Sequence, residues 1–313
     1  MRHFLQENDF SVEEVKEVFA SARVLKSHRY ERPTNDLGGQ NWGMMFYKQS
    51  TRTRVSFEVG IRELGGNPVI LDQSSTQIGR GESIEDTAKV LSRFLDGLII
   101  RSHGHEVIDS FARHASIPVV NALTDLLHPC QIYADCMTIL EKFGLGSDPF
   151  NGLQGKKLAF FGDTSCNMAN SWIVAGSMFG LEISLCGPAT FQPSQDIQNL
   201  LEHHNLPKTW SFTESIEEAA DDADVMYTDV WVSMGCENES QNRLEVMKPY
   251  QVNEKVMAMT KDSCLFMHCM PAHPGEEVSQ AVLDSKQAIL FDQAENRLHM
   301  QKAILAKLSN IKP

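Results

Sequence analysis

Several features are missing from this 313-residue sequence, and each absence removes a class of protein. Positive charge is in short supply: 28 Lys and Arg face 41 Asp and Glu, for a formal net charge of -13. A broad nucleic-acid footprint or a membrane-surface patch is therefore not expected, and any anion site must be a local basic pocket in an acidic body. No apolar run approaches the roughly 20 residues that cross a bilayer, and the first residues lack the charged-then-apolar pattern of a secretion signal. The expectation is a cytoplasmic protein. The seven cysteines, scattered from Cys130 to Cys269, include no Cys-x-x-Cys pair; an odd, dispersed set argues against a disulfide framework and a structural zinc site. His103-x-His105 and His203-His204 lack further ligands at metal-binding spacing, so they read as loop and surface histidines, and no metal is expected. The Gly-x-Gly-x-x-Gly fingerprint is missing as well. Gly162-Asp163-Thr164-Ser165-Cys166 follows a strand, but its spacing does not let a pyrophosphate approach, which disfavours a nicotinamide cofactor.

The length suits two domains, each able to build its own core. Apolar residues at helical spacing between Ser11 and Leu25 predict an opening amphipathic helix. Strands are then expected at Asn41 to Tyr47, Pro68 to Leu71, Gly97 to Arg101 and Ile117 to Asn121, with helices at 55–64, from Ser83, at 107–115 and at 129–143. Gly144 to Gly155 has the composition of a domain junction. A second alternation follows, with strands at Lys157 to Phe161, Glu182 to Cys186, Val225 to Asp229 and Leu265 to His268, a helix at 167–179 and a last helix at 292–308. This rhythm predicts two doubly wound, parallel-sheet α/β domains, at 1–146 and 147–291, followed by a last segment at 292–313.

Within that frame, Ser50-Thr51-Arg52-Thr53-Arg54 lies between a strand and a helix. The first N–H groups of a helix point outward along the positive end of its dipole, and hydroxyls and a guanidinium fork add donors for phosphate oxygens. The residues alone also allow an exposed helix cap. Arg101 ends a strand, where open parallel sheets bind ligands, though a surface ion pair is the plain alternative. Pro129 fits the first turn of a helix and places His128 and Gln131 at its start, able to bond a carbonyl oxygen and an amide. Asp229 stands at a strand's carboxyl end, suited to an amine or equally to a turn. Cys269 follows the last strand, where a small buried hydrophobe is the common role.

Taken together, Ser50-Thr51-Arg52-Thr53, Arg101, His128-Pro129-Cys130-Gln131, Asp229, Ser233-Met234-Gly235, His268-Cys269-Met270-Pro271 and Arg297 resemble the aspartate/ornithine carbamoyltransferase family in order and spacing over essentially the whole chain. The ornithine branch is the nearer. The resemblance departs at Met270, where the family usually has leucine, and at Cys166, where many relatives carry asparagine just before Asn167.

The resemblance implies carbamoyl transfer from carbamoyl phosphate to the side-chain amine of L-ornithine, giving L-citrulline and phosphate in arginine metabolism, without cofactor or metal. It implies an active site between the domains, with the C-terminal helix in 292–313 packing back on the first domain to bring Arg297 to it. Arg52, Arg101, His128, Asp229 and Cys269 carry the chemistry; Ser50, Thr51, Thr53, Gln77, Gln131, Met270 and Arg297 join Arg52, Arg101, His128 and Cys269 in binding carbamoyl phosphate; and Asn167, Asp229, Ser233 and Met234 hold ornithine. A homotrimer or multiple of trimers is implied, with no nucleic-acid or membrane partner. Aspartate, putrescine or an N-acylated ornithine as acceptor, a non-catalytic relative, and a nicotinamide oxidoreductase are the alternatives.

Overall fold

The computed structural model of the chain describes residues 2–31, 34–72, 81–146, 148–232 and 240–309. They form two compact units, one of Met1–Pro149 with Ala294–Pro313 and the other of Phe150–Gln293. Among the described residues no helix is long and apolar enough to cross a membrane.

The first unit is built on four parallel strands, β1 (Asn41–Phe46), β2 (Asn67–Asp72), β3 (Gly97–Arg101) and β4 (Val119–Leu123), in the order β2-β1-β3-β4. The N-terminal chain runs alongside the far edge, where Phe4 exchanges backbone bonds with Val119 and Asn121 at 2.9 and 2.8 Å. All five residues of β3 are buried, as expected of a parallel strand covered on both faces. Each fully buried Ile or Leu there stabilises the unit by roughly 1.5–3 kcal/mol.

Five helices complete most of this unit: α1 (Val12–Ser27), α2 (Arg52–Glu63), α3 (Ile84–Leu91), α4 (His105–His114) and α5 (Pro129–Phe143). A capping box starts α1, with Ser11 Oγ accepting from the Glu14 N–H at 3.4 Å and Glu14 Oε2 accepting from the Ser11 N–H at 2.9 Å. Pro129 occupies the first turn of α5, and Gly144, at φ 66°, ends it in the left-handed conformation that glycine tolerates. The helix α2 starts three residues before the expected 55, and α4 two residues before 107, because their first turns are polar and invisible to apolar periodicity.

The second unit holds β5 (Lys157–Phe161), β6 (Glu182–Cys186), β7 (Trp210–Thr213), β8 (Val225–Thr228) and β9 (Leu265–His268), all parallel, in the order β7-β6-β5-β8-β9. Its helices are α6 (Pro149–Leu153), α7 (Asn167–Phe179), α8 (Gln195–His203), α9 (Ile216–Ala220), α10 (Ser240–Met247), α11 (Glu254–Met257) and α12 (Gln280–Leu283). Two expectations need correction. The glycine-rich stretch 144–155 contains the short helix α6, and Asp229 lies one residue beyond β8 rather than within it.

The last helix, α13 (Leu290–Ser309), begins two residues earlier than the expected 292. From Ala294 onward it belongs to the first unit. There Lys302 donates to Glu63 of α2 at 2.7 Å, and Lys26 of α1 donates to Asn296 at 2.7 Å. A Cβ on Gly60 would come within 3.1 Å of Lys302 Cγ, so a side chain-free position lets α2 and α13 approach closely.

Candidate active site

In each sheet the strand order reverses once: between β1 and β3 in the first unit, and between β5 and β8 in the second. Such switch points leave a crevice at the carboxyl ends of the strands. In the first unit that position brings Arg101 beside the exit of β1, with Phe46 and Arg101 in register and the Tyr47 N–H donating to the Arg101 carbonyl at 2.9 Å. The Ser50–Thr53 turn leads directly into α2. Thr51, in the N-cap position, makes no side-chain capping bond; the Thr53 N–H is taken by Ser50 Oγ at 3.3 Å. Arg52 is half-buried and Thr53 buried.

Arg297, on α13, donates from Nη2 to Thr53 Oγ1. It is 3% exposed, Arg101 is 7% exposed and His128 is 3% exposed, so these cationic and polar groups sit out of bulk water, where charge interactions are stronger. Burial pushes the His128 imidazole well below its ordinary range, and the charges of Arg297 and Arg101 push it the same way. The ring is neutral, and a neutral imidazole still offers one N–H donor. Gln131, three residues on, donates from Nε2 to Asp135 Oδ1 at 2.8 Å. Because a carboxylate only accepts, this bond fixes the amide's orientation and presents Gln131 Oε1 as a buried acceptor with no hydrogen-bond partner among the described residues. Asp135 was missed in the sequence, although its four-residue offset from Gln131 on a helix is the signal that finds it.

In the second unit the switch point gathers Asn167, at the start of α7 just beyond the β5 exit, and Asp229, just beyond β8. The neighbouring β9 delivers Cys269, whose thiol donates to Asp229 Oδ1 at 3.0 Å. The same Oδ1 accepts the Val230 N–H at 2.8 Å. His268 is fully buried with Glu277, which faces its Nε2 at 3.2 Å, while its Nδ1 accepts the Met270 N–H at 2.8 Å. Glu277 was not singled out in the sequence; nothing in its spacing distinguishes it from a surface acid. Met270 has φ 58°, a conformation a β-carbon disfavours, at the turn that aims Cys269.

Asp229, His268 and Cys269 each offer a ligand atom within 4.8 Å of the others. Both ring nitrogens of His268 already have partners, which leaves neither for a metal ion. Burial, with the charges of Asp163 and Asp229, pushes the Cys166 thiol well above its ordinary range, which makes it a poor nucleophile. Of the remaining histidines, His103 is exposed as expected, but His105 opens α4 half-buried with its Nδ1 2.9 Å from Thr124 Oγ1. Gln77, Ser233 and Met234 lie outside the described residues.

Two family models cover the chain: the carbamoyl-P binding domain of aspartate/ornithine carbamoyltransferase matches residues 2–141, and the Asp/Orn binding domain matches residues 154–308. The chain belongs to the aspartate/ornithine carbamoyltransferase family. Within it, the chain is similar to an ornithine carbamoyltransferase of Geobacter sulfurreducens, 42% identical over 98% of this chain and 99% of that one. It is 45% identical to an ornithine carbamoyltransferase of Halalkalibacterium halodurans, over 96% of this chain and 92% of the relative. Among solved structures, the ornithine carbamoyltransferase of Pyrococcus furiosus superposes with a TM-score of 0.90 at 40% identity, covering 99% of this chain and 98% of that one. Two parallel-sheet α/β domains, the expected fold class, are thus shared with the carbamoyltransferases it resembles.

Proposed function

We propose that this carbamoyltransferase uses L-ornithine as its acceptor: the side-chain amine attacks the carbonyl carbon of carbamoyl phosphate, the C–O bond to phosphate breaks, and L-citrulline and phosphate leave. The observation that carries ornithine over aspartate is the Asp229–Cys269 pair at the second switch point. A carboxylate there suits an α-ammonium and opposes the second carboxylate of aspartate. The names of the relatives at 42% and 45% identity support the same acceptor.

Carbamoyl phosphate is an activated mixed anhydride, so the protein's work is positioning and charge stabilisation. Arg52, with Ser50, Thr51 and Thr53 and with Arg297, holds the phosphate as its charge grows. Arg101 and the neutral His128 bond the carbonyl oxygen as it becomes an oxyanion. Gln131 Oε1 accepts from the carbamoyl NH₂, a role favoured by the orientation that Asp135 imposes. Asn167, Asp229, Ser233 and Met234 hold ornithine; Cys269 and Asp229 take part in deprotonating its amine; Met270 and Gln77 complete the carbamoyl-phosphate contacts. The domain assignments follow, with 1–146 serving carbamoyl phosphate, 147–291 serving ornithine, and 292–313 carrying Arg297 back. A cytoplasmic trimer, or a multiple of trimers, acting in arginine biosynthesis completes the proposal.

An acceptor panel with saturating carbamoyl phosphate tests it. L-Ornithine should exceed L-aspartate, putrescine and N-acetyl-L-ornithine in kcat/KM, by as much as ~10⁴-fold where a buried polar partner is left unsatisfied. Equal rates with an N-acylated ornithine or with putrescine would reassign the substrate.

A further inference from the structure

The amide of Asn296, one residue before Arg297, is completely buried and its hydrogen-bonding groups are engaged by two other helices. Its Oδ1 accepts from Lys26 of α1 at 2.7 Å, and its Nδ2 donates to Thr138 Oγ1 at 2.9 Å and to Glu141 Oε2 at 2.8 Å, both on α5. Lys26 closes the ring by donating to both Glu141 oxygens, at 2.9 and 3.1 Å. Thr138 is oriented as an acceptor toward Asn296 because its own hydroxyl hydrogen goes to the Ala134 carbonyl at 2.7 Å. Turning or sliding α13 by a fraction of a turn would break the bond between the two fully buried members, Asn296 and Thr138, and leave the Asn296 amide without partners, whereas Lys26 and Glu141 stand at the solvent-facing side of the ring; the buried pair thus favours one register. The helix gripped at its far end is also the one whose beginning carries His128 and Gln131.

We propose that Asn296 is a positioning residue for the carbamoyl-phosphate site: by locking the rotation and height of α13 against Thr138 and Glu141, it sets where the Arg297 guanidinium stands relative to Thr53. This rests on the reading of Arg297 as a carbamoyl-phosphate ligand. It assigns Asn296 no contact with substrate. Its role is to hold a long, flexible side chain's backbone origin still, which matters because ~1 Å of misplacement can cost up to about 100-fold in rate.

The test is a cycle of Asn296→Ala, Arg297→Ala and the double variant, measured by KM for carbamoyl phosphate, KM for ornithine, calorimetric titration with inorganic phosphate, and thermal melting. Asn296→Ala is expected to raise KM for carbamoyl phosphate and weaken phosphate binding roughly tenfold, within the cost such a misplacement allows, with KM for ornithine unchanged. The double variant should be no worse than Arg297→Ala alone, because the first residue acts through the second. Thr138→Val should reproduce the carbamoyl-phosphate defect and Thr138→Ser should restore it; these two variants decide the matter if Asn296→Ala does not fold. A folded Asn296→Ala with wild-type KM for carbamoyl phosphate, or effects that simply add in the double variant, overturns the inference. Arg297→Ala with unaltered phosphate binding would instead remove the reading of Arg297 and the inference with it.

Discussion

Neutral His128 between two guanidinium groups is a division of labour among neighbouring side chains. In the proposed reading the arginines supply fixed charge, while an imidazole kept uncharged by burial and by their charges can offer an N–H without adding a third cation to a buried pocket. On that division, Arg52→Ala should lower kcat/KM by about 100-fold or more, the usual cost of a preorganised charged donor, while leaving the melting temperature close to wild type; steady-state kinetics and a thermal melt check both halves. Cys269 is expected to behave differently from a nucleophile, since its thiol proton is committed to the Asp229 carboxylate at 3.0 Å. Intact-mass measurement after incubation with carbamoyl phosphate alone should therefore find unmodified protein; a stable carbamoyl adduct on Cys269 would contradict direct attack by the amine. The resemblance already put Asp229 and Cys269 to work together on the amine, but the hydrogen bond that joins them was not visible in the sequence. Asp229 and Cys269 are separated by 40 positions, and they meet only because β8 and β9 are neighbours in the sheet, an order no local pattern encodes. The acceptor face of Gln131 was hidden for the same reason: it depends on which way Asp135 turns the amide.

Helices and strands with a strong apolar period were legible, and those without one were not. The helix α5 is found at 129–143 and α7 at 167–179, where proline and glycine punctuate long buried runs. In contrast β7, four residues with no fully buried side chain, sits at the sheet edge with too weak an alternation to stand out. The helix α6 was masked by the glycines around it. Within α13, His299 is fully buried, and burial pushes its imidazole down to about 4, with the nearby charges of Lys302 and Lys26 adding to this and Glu295, 3.5 Å away, opposing it. The unfolded chain, titrating near ~6.5, then binds more protons than the folded one between that value and about 4, so stability falls as pH drops through this window. His299→Gln removes the titration. Its melting temperature should accordingly decline less between pH 7 and pH 5 than that of wild type, with a residual slope from His3 and His128, whose imidazoles are also pushed down by burial. An unchanged slope in the variant would show that His299 is not among the titrating groups.

At the level of the whole molecule, the alternation of strands and helices was enough to expect two parallel-sheet domains, because helices covering both faces of a sheet leave near-continuous apolar strands such as β3. Self-association belongs to this scale too. Val55, Val90 and Phe94 of the first unit are apolar side chains left 53%, 46% and 68% exposed in the single chain. Light scattering coupled to size exclusion should give three times the 35.1 kDa of the chain, or a multiple of that mass, and a monomer at micromolar concentration would remove the proposed trimer. The partition of the chain also has a consequence for its synthesis. The unit of Phe150–Gln293 is continuous, whereas the other is opened at the start of the sequence and closed only by residues from Ala294 onward. On the ribosome, Thr53 emerges 244 residues ahead of Arg297, and Lys26 waits 270 residues for Asn296. Closing so long a loop adds little entropic cost, about 0.6 kcal/mol per doubling of length, so the delay is one of timing. Domains that are complete in sequence fold as they emerge. Here the order is inverted: the unit begun first is finished last, and a nascent chain cut short before Asn296 leaves with its second unit whole but without the guanidinium that reaches Thr53.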